Sequence, residues 1–231
     1  MIKFLPFLLM IGYGLAMWRF SVWRLGRELD ARSTPLRDPA LAAVTARLAR
    51  ALDLPMVPVH VYEVDPVNGL AAPDGRVFLT RGFLRKYKAG EVTAEEIASV
   101  IAHELGHVAL GHARRRMIDF TGQNALRMAL MGLLGRLLPL GLGVWLANLA
   151  ATALAARLSR GDEYEADEWA SALLVKAGLG TGPQKSLFAK LDRLAQGKGG
   201  APAWLMTHPA SPARIAAIEA NEARWGVAPP A

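Results

Sequence analysis

The chain has 231 residues, enough for one domain with a sizeable core plus appendages, and it shows no internal repeat. It has no cysteine, which excludes disulfides, thiol catalysis and a lipidated cysteine anchor without choosing a compartment. The net charge of +7 could serve nucleic acid, but no nucleic-acid motif accompanies it, and Arg19, Arg24, Arg27 and Arg32 follow an apolar N-terminus in a way that suits anionic lipid headgroups better.

Phe4 to Trp18 is almost wholly apolar, and Phe20 to Trp23 extends the stretch beyond Arg19, whose stem can snorkel. Lys3 and a short apolar region also fit a cleaved signal peptide, but no clear A-x-A site follows, so residues 1–24 read as a retained membrane anchor. With the arginines after the span, the positive-inside rule puts the bulk of the protein in the cytoplasm, at a cell inner membrane, the periplasmic side being the alternative. A helix from Pro39 to Ala51 follows, then two or three short strands between Met56 and Thr80. His60 alternates with Val57, Val59 and Val61, so it points to the opposite face and reads as structural.

Thr93 followed by Glu96 makes a capping box, and Ile97, Val100, Ile101, Leu105 and Val108 form an apolar stripe at helical spacing. On that helix His103-Glu104-Leu105-Gly106-His107 is an HExxH pattern. The two imidazoles lie about 40° apart around the axis and can ligate one metal ion, with Glu104 flanking them as a carboxylate held off the metal. That set suits zinc and peptide hydrolysis. Chance produces such a match in roughly one comparable sequence in two hundred, and two ligands alone make a weak site. Gly111 loosens the far end of the helix. His112, nine residues from His103, falls on the opposite face of a continued helix and misses the HExxHxxGxxH pattern, whose third histidine would fall at Ala113. It reads as a solvated histidine, or one that supports a ligand.

A second apolar region, Ala125 to Ala156, offers 32 residues interrupted by Arg136 and Pro139. Two full spans need about forty residues, so a helical hairpin turning near Pro139 to Gly143 is the economical solution. It packs on the protein, dips into one leaflet or forms short spans. Beyond it, Glu163 and Asp167 share one helical face and Glu165 points about 200° away from Glu163. This is either a wet helix surface or a third metal ligand, Glu163, with Asp167 accepting a hydrogen bond from a ligand imidazole. Ala166 and Ala170 are small enough for close helix approach. Later helices are capped near Thr181 and Ser211, and the glycine-rich Gln196 to Pro202 reads as a mobile loop that gates the cleft.

HExxH followed by Ser159-Arg160-Gly161-Asp162-Glu163-Tyr164-Glu165-Ala166-Asp167 resembles the HtpX-like membrane zinc metallopeptidases, the gluzincin group that includes the prenyl-protein endopeptidases. Asn68-Gly69-Leu70-Ala71 is similar to the Asn-Ala-Phe-Ala edge strand of that family, departing at Gly69 and Leu70. Residues 75–82 resemble the strand and turn that follow, and Thr207-His208-Pro209 with Arg214 resembles the C-terminal THP…R element. The resemblance covers roughly residues 55–220. It implies one zinc held by His103, His107 and Glu163 with water in the fourth place, and Glu104 as general base. It implies that Asn68, Gly69, Leu70 and Ala71 pair with an extended substrate, the other reading being an ordinary hairpin strand with Asn68 in a turn. His208 then faces the cleft, steadying the oxyanion or occluding the zinc, or is an ordinary loop histidine.

The expected architecture is α+β, mainly α. It comprises an anchor over residues 1–24, a metallopeptidase domain over 38–231 with a small β-sheet, and the hydrophobic hairpin over 125–157 inserted between the zinc-ligand helices. The expected activity is cleavage of misfolded or membrane-associated proteins, with protein substrates and membrane lipid as partners. A zinc-containing, chaperone-like client binder that does not cut is the rival reading, and an exopeptidase on the same metal site is a third.

Overall fold

The computed structural model describes residues 5–138, 142–196, 203–208 and 212–227. Its first element, α1 (Leu5–Arg32), runs without a break through the arginine-bearing segment, past the expected end of the anchor. Tyr13, Leu15, Met17, Phe20 and Trp23 are exposed, whereas Leu29 is fully buried. The apolar stretch from its start at Phe4 lies partly outside the described residues.

A four-stranded sheet follows in the order β1-β2-β4-β3, with β1 Ser33–Pro35, β2 Val59–Tyr62, β3 Gly69–Ala71 and β4 Val77–Thr80. β2 and β4 run parallel, and β1 and β3 pair antiparallel at the two edges. Of the two or three strands expected between Met56 and Thr80, three are present. β1 went unread because three residues ending in proline carry almost no periodic signal, and proline is tolerated at a sheet edge. Alternation sorts the faces. Val59, Val61, Val77 and Leu79 join the main core, while Phe78 packs with Leu29 and Ala72 on the other side. The end of α1 is tied there by Arg76 to Asp30 at 2.6 Å and by the Tyr62 hydroxyl to Glu28 at 2.6 Å. His60 stacks on Phe78 opposite the valines, as its strand position predicts.

The helix α2 occupies Pro39–Ala51 as expected; Asp38 caps it by accepting from the Leu41 N–H at 3.0 Å. Thr80 caps α3 (Arg81–Lys88). The next helix, α4 (Ala94–Ala109), has the reciprocal Thr93–Glu96 capping box, and Ile97, Val100, Ile101 and Leu105 are buried in the core. It ends because Gly111 adopts a left-handed φ of 66°. α5 (His112–Leu137) then starts in a new direction. The hairpin is longer than the apolar stretch: α5 forms one arm and α6 (Leu142–Lys176) the other. The turn expected near Pro139 to Gly143 falls largely outside the described residues, between the end of α5 and the start of α6. A Cβ on Gly143 would collide with the Leu134 carbonyl, which explains a glycine where the arms meet.

The structure also contains α7 (Gly182–Gln196), α8 (Ala203–Thr207) and α9 (Pro212–Trp225). Thr181 directly precedes α7, and its hydroxyl donates to Glu222 on α9. Ser211 and the proposed gating loop beyond Gln196 lie outside the described residues. Among the described residues, α6 is the helix long and apolar enough to cross a membrane, with mean hydropathy 1.3 and 11% burial over its most apolar window.

Candidate metal centre

Local folding brings the site together from three helices and the turn after α8. α4 presents His103 and His107 one turn apart, and α6 crosses it at the small residues. A Cβ on Gly106 would lie 3.1 Å from the Ala166 carbonyl oxygen, so the two backbones are nearly in contact. That approach places Glu163 opposite the histidines. Its Oε2 is 3.4 Å from His103 Nε2, and its Oε1 is 3.5 Å from His107 Nε2. The two Nε2 atoms are 3.1 Å apart. His208, directly after α8, points its Nδ1 into the same space, 3.3 Å from His103 Nε2 and 2.8 Å from Glu163 Oε2.

His103, His107, Glu163 and His208 thus offer ligand atoms all within 4.8 Å of one another, a group that could hold a metal ion. Donors arranged tetrahedrally about 2.0–2.2 Å from zinc are about 3.3–3.6 Å apart, and the donor pairs given above lie at 2.8–3.5 Å, close to that spacing. Glu163 Oε1 is buried with no hydrogen-bond partner, and the Arg116 Nη2 at 3.6 Å is too far to supply one, a state that a cation bound at this oxygen would relieve. The donor set therefore fits zinc.

Around this group, Asp167 Oδ1 lies 3.0 Å from His103 Nδ1 at an angle too skewed for a well-aligned hydrogen bond. Arg214 grips Asp167 with Nε at 2.6 Å and Nη2 at 2.7 Å, and its Nη1 reaches Glu163 Oε2 at 3.4 Å. Burial opposes a charge on His103, but the Asp167 and Glu163 carboxylates against its two ring nitrogens outweigh it and push the ring up to about 9. Burial and the neighbouring His103 push His107 down to about 2.

Glu104 is buried beside the ligands, and the Trp204 indole N–H donates to its Oε1 at 3.3 Å. His208 Nε2 lies 3.5 Å from the same oxygen. Trp204 escaped the sequence reading, although a signal existed: it stands one helical turn before His208, and the two rings stack at 5.2 Å.

β3 lies against α4 at this point. A Cβ on Gly69 would sit 2.8 Å from Val100 Cγ1 and 3.9 Å from Glu104 Cγ. Thr80 N–H donates to the Asn68 carbonyl at 3.0 Å and Ala72 N–H to the Arg76 carbonyl at 2.8 Å. By strand alternation, Asn68 and Leu70 turn their backbone groups to β4, and Gly69 and Ala71 turn theirs outward.

His112 is corrected in one respect. It does not lie on the opposite face of a continued helix, because the chain turns at Gly111 and returns it to His107, Nδ1 to Nδ1, at 2.7 Å. It is buried rather than solvated. Glu165 is exposed and pairs with Arg115 at 2.7 Å.

Two imidazoles on one helix, a carboxylate from a second and a glutamate beside them are the arrangement of a metallopeptidase. The sequence profile of peptidase family M48 matches residues 35–222, and the chain belongs to that family. It is 30% identical over 209 residues to Metalloprotease LoiP of Escherichia coli (strain K12), covering 87% of this chain and 79% of that protein. It is 33% identical to Metalloprotease YcaL of the same organism, over 76% of this chain and 65% of YcaL. A Protease HtpX homolog of Acaryochloris marina is 29% identical over 80% of this chain and 68% of its own length. Peptidases of this family are generally zinc-dependent and act on proteins or peptides.

Proposed function

We propose that this chain is a membrane-associated zinc endopeptidase that cuts misfolded or membrane-associated proteins internally. The observation that carries the reading is the buried meeting of His103, His107 and Glu163 with Glu104 alongside. His103, His107 and Glu163 would hold the zinc. When bound, zinc acts as a Lewis acid that acidifies water and polarises a carbonyl. Glu104 takes a proton from the attacking water and returns it to the nitrogen of the leaving amine. The Trp204 N–H holds the Glu104 carboxylate in place for both transfers. Asp167 and Arg214 keep His103 and Glu163 oriented. The Gly69 carbonyl and the outward backbone groups of Ala71, with Asn68 and Leu70 fixing the strand and Asn68 Oδ1 accepting the Gly69 N–H at 3.0 Å, would bind an extended substrate whatever its side chains.

His208 would serve as a fourth donor to the metal in this conformation, which favours the occluding role over the oxyanion role. Moving it aside would make room for water. Membrane association is supported by the exposed apolar side chains of the hairpin, among them Leu126, Leu133, Trp145 and Leu149, and by the arginines of α1. The catalytic domain is assigned to the cytoplasmic side by those arginines alone.

Zinc content and casein cleavage of the wild type beside Glu104→Gln and Glu163→Ala test the reading. Glu104→Gln should keep zinc and lose cleavage, and Glu163→Ala should lose zinc. A wild type that holds zinc yet cuts no unfolded protein would favour the client-binding alternative. Terminal trimming without internal cuts would indicate an exopeptidase.

A further inference from the structure

The proposed mechanism leaves unused one buried histidine beside the ligand group, His112. On its far side, its Nε2 is 3.4 Å from Glu165 Oε2 and 3.9 Å from Asp162 Oδ1. Arg115 and Arg116 hold those carboxylates at 2.7 and 2.9 Å. The chain of contacts therefore runs from α6 through His112 to His107.

A 2.7 Å separation of two Nδ1 atoms requires one hydrogen between them, and its owner decides what His107 can do. If His107 carries it, the His107 Nε2 lone pair faces His103 and Glu163, free to bind a metal. If His112 carries it, a neutral His107 is protonated at Nε2 and cannot ligate. In that second state His112 would also turn a bare Nε2 lone pair toward two carboxylates. Repulsion there favours N–H at His112 Nε2, leaving its Nδ1 to accept. One donor opposes this order: Arg116 Nη2 is 3.5 Å from His107 Nδ1. It is the longer contact, and the Nε of the same guanidinium already serves Asp162.

We propose that His112 is a positioning residue that accepts the Nδ1–H of His107 and so fixes that ring as an Nε2 metal ligand, with Glu165 and Asp162 fixing His112 in turn. This rests on the metal-ligand reading of His107. It adds that the ligand is held from the root of the hairpin, since His112 opens α5 and both carboxylates stand on α6.

Long-range proton–nitrogen NMR of the zinc-loaded full chain reads the tautomers directly. His107 should carry its proton on Nδ1 and His112 on Nε2; a His112 protonated on Nδ1, or doubly protonated, overturns the proposal. Competition with a chromophoric chelator then compares zinc affinity in the wild type, His112→Leu and His112→Asn. His112→Leu should lose about 10- to 100-fold. His112→Asn, whose amide oxygen can replace Nδ1 as acceptor, should recover most of that. Equal affinity in wild type and His112→Leu, or no recovery with asparagine when circular dichroism shows both metal-free variants folded, overturns it. If His112→Leu fails to fold, the wild-type tautomers decide. A wild type that binds no zinc overturns this proposal together with the proposed function, whereas tight binding unaffected by His112→Leu overturns this one alone.

Discussion

Arg214 is a buried cation that pairs with two of the carboxylates at the metal centre, Asp167 and Glu163. Removing it strands two buried negative charges, and such losses typically cost about 3–5 kcal/mol. Arg214→Met should therefore lower the unfolding free energy of the metal-free protein by that amount in chemical denaturation. Arg214→Lys keeps the charge but cannot grip both Asp167 oxygens, so it should fall between the two and release zinc faster to a chelator. Trp204→Phe keeps the stacked ring over His208 and removes the donor to Glu104. It should lower kcat for casein without lowering zinc content. At this scale the sequence was informative where chemistry is local. His103 and His107 stand one turn apart on one helix, and Glu163 and Asp167 likewise, so their faces follow from helical period alone. His112 was not legible in that way, because it depends on the direction change at Gly111, which a periodic reading carries straight through. Trp204 shares a helical face with His208, but nothing local ties it to Glu104, a hundred residues away.

The elements meet where side chains are smallest. Gly106 on α4 and Ala166 on α6 set the distance between the two ligand-bearing helices. Gly106→Val should push them apart, weakening zinc binding in chelator competition even though valine adds apolar surface. The start of α4 carries a separate dependence. Burial opposes ionisation of Glu96, but hydrogen bonds from Lys190, Ser186 and the Thr93 N–H hold its carboxyl below the ordinary value. Its folded pKa is thus depressed, so the stability it contributes is present above the unfolded value and is lost as pH falls through the folded one. Acid melting curves should show that loss below about pH 4.3, and Glu96→Gln should flatten it. The capping box behind this was readable from Thr93 and Glu96, whereas the partners on α7 were not, being about ninety residues away. The sheet shows the same limit. The valine alternation located β2, but the order β1-β2-β4-β3 with its parallel pair arises from long-range packing against α4 and α1.

Across the molecule, apolar surface is distributed unevenly. The domain buries its own core, whereas α1 and the hairpin expose large apolar side chains, including Trp23 and Trp145. Replacing Leu133, Trp145 and Leu149 together with glutamine should move the protein from the membrane to the soluble fraction on sedimentation. Casein cleavage should survive, because none of the three approaches the metal group. The apolar runs and the need to bring His107 and Glu163 to one ion were enough to infer a hairpin. Its full length was not, because α5 and α6 continue as helices through the polar residues on either side.

α6 is one unbroken helix from the hairpin turn to beyond Glu163, and this makes it a gauge of depth. From Leu142 to Glu163 it rises about 32 Å at 1.5 Å per residue. If the hairpin stands upright in a bilayer, its depth of insertion and the height of the metal above the membrane core must sum to that length. A hairpin sunk about 15 Å would leave the centre some 17 Å above the membrane core, a gap that about five extended residues can bridge. A client held in the same membrane would then be cut only a short, nearly constant number of residues from where its chain emerges. Selection by distance from the membrane requires no sequence preference at all.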